Sequence, residues 1–182
     1  MRKKGLVTKT TIECPINKPS IMQTQPGLSI SQIASSKQGL SLRLGALAAA
    51  TQTGALAINA LQITNELGEQ VQDEANTHIG LALDFEIYGL NETIPNASVI
   101  IPLSQPIPYG ATYRKFDGIQ WRDFVFDDNN HIASAPYVNG QCPDFGSDAY
   151  VEGLIPFYHC ILLTLNDGGP NDADQAVNGI IK

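Results

Sequence analysis

This chain is poor in the residues from which enzymes and nucleic-acid binders are usually built. Histidine occurs only at His78, His131 and His159, and cysteine only at Cys14, Cys142 and Cys160, never as Cys-x-x-Cys. That pattern excludes the usual zinc-binding spacings. There is no Gly-x-Ser-x-Gly elbow, and the one His–Cys neighbour pair, His159 and Cys160, lies in a strand-like run whose adjacent side chains face opposite ways. Nucleophilic catalysis therefore has no local signature here. The paired carboxylates Asp73-Glu74 and Asp127-Asp128 fall in polar stretches and read as solvated turn residues, not as a glycosidase acid and nucleophile. Lys and Arg are missing from residues 123–181, which hold nine acidic residues, and the net charge is −7. A nucleic-acid partner needs a broad basic face, so this balance argues against one. No apolar run reaches the ~18 residues of a membrane-spanning helix. The basic start Met1-Arg-Lys-Lys is not followed by an apolar stretch, so no signal peptide is read; an exported protein would carry this sequence as a mature piece or an internal segment.

Turn-formers and short apolar alternations are what the chain has in quantity. Across 182 residues there are 16 glycines and 11 prolines, with 43% hydrophobic and only 16% charged residues. Such a balance favours one domain of many short strands over long amphipathic helices. Residues 1–26 hold prolines at 15, 19 and 26 without a steady period and read as an extended arm; 27–182 read as a single antiparallel β-sandwich, Ig-like or jelly-roll-like. Short strands are expected at Leu28 and Ile30, at Leu40 to Leu44 and over 55–64, with 45–54 as a loop or one helical turn. The clearest alternation runs from His78 to Ile87, with Ile79, Leu81, Leu83, Phe85 and Ile87 on one face. Val99, Ile101 and Leu103 mark another strand. Tyr113 to Phe116 and Gln120 to Phe126 form a hairpin around Asp117-Gly118. A long loop then covers 127–156, and 157–165 is the last strong strand. Trp121 reads as hairpin packing, and the sequons at Asn91 and Asn96 as exposed turns.

Two groups of residues suggest more specific chemistry. Cys142 opens a Pro/Gly/Ser-rich loop and Cys160 lies in the strand after it, so a Cys142–Cys160 disulfide would staple loop to sheet in an oxidising compartment, leaving Cys14 over. The segment Asp167-Gly-Gly-Pro-Asn-Asp-Ala-Asp174, with Asn178-Gly179 behind it, crowds carboxylates into turn-forming sequence. Its Asp172-x-Asp174 pair and Asn178 share the front spacing of an EF-hand, but Ala176 and Val177 stand at the fifth and sixth positions and no twelfth-position glutamate follows. An EF-hand is excluded. Two readings stay open: another calcium site with Asp167, Asp172, Asp174 and Asn178 as ligands, or an Asx-rich turn satisfying its own backbone.

Several phrases in order carry a resemblance: Leu42-Arg-Leu-Gly45, Asp84-Phe-Glu-Ile-Tyr-Gly-Leu90, Tyr113-Arg-Lys-Phe116, Trp121-Arg-Asp-Phe124, Ile132-Ala-Ser-Ala-Pro136, Cys142-Pro and the terminal Asp/Gly phrase. Over roughly 38–182 the chain resembles the "choice-of-anchor U" domain of bacterial surface and secreted proteins. The resemblance implies a β-rich extracellular module without catalytic residues, placed ahead of an anchoring tail in a larger protein. It departs at Gln175, where the family usually has glycine, and at Lys182, where members usually continue; the second departure suggests truncation or processing. Three functions follow as expectations. The first is a non-enzymatic structural or adhesive module whose partners are other modules of the same surface protein. The second is a fibre subunit in which the 1–26 arm adds a strand to the next copy, basic head against acidic tail. Carbohydrate binding by exposed aromatics among Tyr109, Tyr113, Trp121, Tyr137, Tyr150 and Tyr158 is the third.

Overall fold

The computed structural model describes residues 18–21, 34–35, 39–59, 63–65, 67–74, 76–79 and 82–182. Cys14, the strand expected at Leu28 and Ile30, Leu81 and all of the arm but 18–21 lie outside the described residues. In chain order the elements are β1 (Lys18–Ile21), β2 (Ala34–Ser35), β3 (Ser41–Leu44), α1 (Ala46–Ala50), β4 (Ala57–Ile58), β5 (Asn76–Ile79), β6 (Ala82–Leu83) and β7 (Phe85–Tyr88). They continue with β8 (Asn96–Pro102), β9 (Thr112–Phe116), β10 (Trp121–Asp123), β11 (His131–Ala135), β12 (Val151–Glu152), β13 (Cys160–Asn166) and β14 (Ile180–Ile181). The fold is all-β, and among the described residues every ladder is antiparallel except the two made by β1.

The sandwich grows from the longest ladder. β13 and β8 pair over seven rungs, from Cys160↔Pro102 to Asn166↔Asn96, inside the sheet β12-β11-β13-β8-β2. Strand alternation puts Ile161, Leu163 and Leu165 on one face with their partners Ile101, Val99 and Ala97, and all six are buried. Ile132 of β11 joins them. Against this face lies the sheet β14-β7-β3, which brings Ile87 and Ile181, both fully buried, into the same hydrophobic cluster. Burial of each such aliphatic side chain contributes about 1.5–3 kcal/mol, so this face is what holds the two sheets together. On the opposite face Ser98 and Thr164 hydrogen-bond at 2.8 Å.

Several expectations need correction. The single strand read from His78 to Ile87 covers β5, β6 and β7, and between the last two Asp84 interrupts it: its amide donates to Leu56 and its carbonyl accepts from Gly45. Before Asp84 the chain pairs with β4, and after it with β3. Gly45 has to be glycine for this crossing, since a Cβ there would lie 2.2 Å from an Asp84 carboxylate oxygen. The carboxylate in turn accepts the Ala48 amide at 2.7 Å, capping α1, which settles 46–50 as a helical turn. Within the supposed loop 127–156, β11 is a central strand hidden in the weakly hydrophobic His131-Ile-Ala-Ser-Ala135, and β12 pairs with its edge. Its buried Ser134 is satisfied on both sides, donating to Gly153 O and accepting from Ile155 N. The last strong strand starts at Cys160, not 157, and β14 adds a strand after the terminal Asp/Gly phrase. Asn96 opens β8 and is no exposed turn.

Candidate functional site

The terminal phrase is built as a self-capped knot. Asp167, only 5% exposed, accepts the Asn178 and Gly179 amides at 3.3 and 2.9 Å. Asp172, fully buried, accepts the Gly168 and Lys182 amides at 2.9 and 3.0 Å. Asp174 accepts from the Ala176 amide, the Asn178 side-chain amide and the Lys182 ammonium, and Asn178 Oδ1 accepts from Ile180 N. Every side-chain oxygen of the four expected calcium ligands thus already accepts from an N–H. Gly168 adopts φ +70°, and a Cβ there would lie 2.5 Å from Val177. Burial pushes the Asp172 carboxyl above its ordinary range, opposed by its two amide donors and reinforced by the charges of Asp174 and Asp167. The Lys182 ammonium holds Asp174 below it. Among the described residues no three His, Cys, Asp or Glu side chains gather as a metal group. This donor set suits the turn-capping reading, since every one of these oxygens already holds a backbone or side-chain N–H.

The knot is tied to the β9–β10 hairpin. Asn171 mimics a strand neighbour, accepting from Val125 N at 2.9 Å and donating to Val125 O at 2.7 Å. Lys115 of β9 donates to the Pro170 carbonyl. At the other end of the main sheet, Cys142 and Cys160 form a disulfide with Cα atoms 5.6 Å apart, fastening the 142–160 loop to β13.

A buried charge cluster went unread in the sequence. Asp73, whose side chain is 3% exposed, takes two hydrogen bonds from Arg114, which also pairs with Asp123 at 2.7 Å. Burial acts to raise the Asp73 pKa, but the Arg114 and Asn76 hydrogen bonds and the Arg114 charge leave it lowered. His78 lies 3.7 Å from Asp73, with Nδ1 buried and without a hydrogen-bond partner among the described residues. Desolvation lowers its pKa despite the nearby carboxylate. Asp73 is therefore no solvated turn residue; its partner comes from 41 positions away.

The aromatics do not form one platform. Trp121 is buried and donates to Val71 O at 3.1 Å, and Tyr137 stacks on His159. Tyr150 donates to Pro143 O, and Tyr158 packs on the core. Only Tyr109 is largely exposed, edge-on to the exposed Phe157 at 5.2 Å. Phe157 holds φ +70°, a strained value for a bulky residue.

The segment 18–21 supplies the most unusual feature. β1 runs parallel to β5 from Lys18↔Asn76 to Ile21↔Ile79, and parallel to β9 at Ser20↔Thr112 and Ile21↔Tyr113. It is an inner strand of β10-β9-β1-β5, and β5 has no other strand partner among the described residues. No protein-family model, curated protein or solved structure matches this chain. Among the described residues no helix is long and apolar enough to cross a membrane.

Proposed function

We propose that this chain is a non-enzymatic extracellular structural module that joins to copies of itself, segment 18–21 of one copy lying between β5 and β9 of the next. The double parallel pairing of β1 is the observation that carries this reading. A parallel strand reaches its place only through a long connection, so its identity does not depend on a tight turn. Withdrawn, it leaves β5 without a ladder and β9 with an open edge, the kind of edge that another chain completes. Charge favours head-to-tail association of copies more generally: five of the eleven basic residues lie within the first eighteen positions, while 123–181 carries nine acidic residues and no Lys or Arg. The Cys142–Cys160 bridge supports an oxidising compartment. Resemblance to choice-of-anchor U domains supports a bacterial surface protein, with sibling modules as further partners.

Register gives the test. Ser20 lies opposite His78. A mixture of Ser20→Cys and His78→Cys single variants, oxidised after assembly, is expected to give cross-linked dimers on a non-reducing gel, and the double variant longer ladders. Monomers alone in the mixture, together with an intramolecular cross-link in the double variant, would sink self-joining. A second reading, sugar binding at Tyr109 and Phe157, is favoured by the strained, outward Phe157; a glycan array showing no binding would remove it.

A further inference from the structure

Where the main core meets the smaller cluster around Ala48, Ile58 and Trp121, the fold leaves a cavity of about 420 Å³. That volume lies within the ordinary range of small-molecule sites. Its walls are mostly apolar, formed by Leu47, Ile63, Leu83, Phe85, Phe124 and Leu163. Polar side chains reach it as well, among them Asn65, Asp84, Glu86 and Arg114, and two more stand together. Tyr113 and Lys115 stand two residues apart on β9, so strand alternation sends both to one side.

Their bonding capacity is not used up. The Tyr113 ring packs edge-on against Phe124 at 6.0 Å, no described group accepts its hydroxyl proton, and burial alone raises its pKa. Lys115 is half-buried, which lowers the pKa of its ammonium; it donates to the Pro170 carbonyl and has no carboxylate within ion-pair distance among the described residues. An ammonium has three donors, so two remain. The other charged groups around the cavity are engaged: Arg114 with Asp73 and Asp123, Lys182 with Asp174, Asp84 with the Ala48 amide, and Glu86 with the Tyr88 hydroxyl.

The geometry points to a binding site for a long-chain carboxylate, its apolar tail lying along the seam between the two clusters and its carboxylate held by Tyr113 Oη and Lys115 Nζ. A neutral chain would leave both donors unpaired, and a short acid would leave the apolar walls in water. None of the named groups of this site belongs to the arm, although Tyr113 pairs with Ile21 of β1; the titration below reads the ligand and the cross-linking above reads the exchange, so the two fail separately.

Trp121, the chain's single tryptophan, lines the cavity and reports on it. Titrating the full chain with dodecanoate below its micelle concentration is expected to change Trp121 emission saturably. Dodecanol should bind about tenfold more weakly and acetate not at all. Tyr113→Phe and Lys115→Met should each weaken dodecanoate about tenfold and leave dodecanol unaffected. No saturable response, equal affinity for dodecanoate and dodecanol, or unchanged affinity in both variants would each overturn the site. The first two comparisons use the unaltered protein, so a variant that does not fold cannot shield it.

Discussion

Asp73 shows how much one side chain can carry when its partner is remote in sequence. It sits beside Glu74 in a polar stretch that reads as solvated, and nothing nearby hints that Arg114 will fold back over it. Asp73→Asn leaves Arg114 with only the exposed Asp123 and should destabilise the fold by about 3 kcal/mol at neutral pH, read by denaturant unfolding. The sign with pH follows from the lowered pKa. The contribution is fully present above the unfolded-state value and is lost as pH falls through the folded one, so the two proteins should converge below about pH 4. A gap that does not narrow as pH falls below about 4 would place the effect elsewhere. Asp172 behaves differently, because it was conspicuous in sequence while its role was not. A carboxylate followed by small residues looks the same whether it binds calcium or caps amides. Only the fold decides which donors meet it. Asp172→Ala strands the Gly168 and Lys182 amides and should cost about 2 kcal/mol, whereas a calcium chelator should leave the melting temperature of the parent protein unchanged. A fall on chelation would restore the ion.

β3 was legible because its leucines alternate with polar residues, and β8 because Val99 and Ile101 mark its core face even though Ile100 is buried on the other. β11 was not legible, since Ala and Ser fill its buried positions and carry little strand signal. The break at Asp84 was equally hidden. Alternation continues through it in Leu83, Phe85 and Ile87, and only the change of pairing partner, which is non-local, makes two strands of one. The disulfide could be read because the loop and the strand at its ends were both recognisable. It closes a loop with a sequence separation of 18, for which chain entropy gives about 3 kcal/mol. Replacing Cys142 and Cys160 together by Ser should therefore lower the melting temperature by roughly 6–12 °C. An unchanged melt would mean that β11 and β13 hold the loop without it.

For the whole molecule, composition alone was enough for an all-β sandwich, and charge asymmetry for a basic head and an acidic tail. The place of segment 18–21 was beyond it, because parallel pairing has no local turn signal to announce it. Deleting 1–26 removes β1 and should abolish assemblies seen by electron microscopy, and raising salt should slow their growth, since salt screens the attraction between basic head and acidic tail. Assemblies that persist without the arm would transfer the contact to another face.

Parallel insertion also has a mechanical meaning. Each joint in such a chain of copies repeats the same contact without a two-fold axis, so the assembly is polar and does not close on itself. Tension along it would pull β1 lengthwise against both neighbours, loading the rungs to β5 and β9 together. A joint loaded that way yields by sliding past all its rungs at once, not by peeling them in turn.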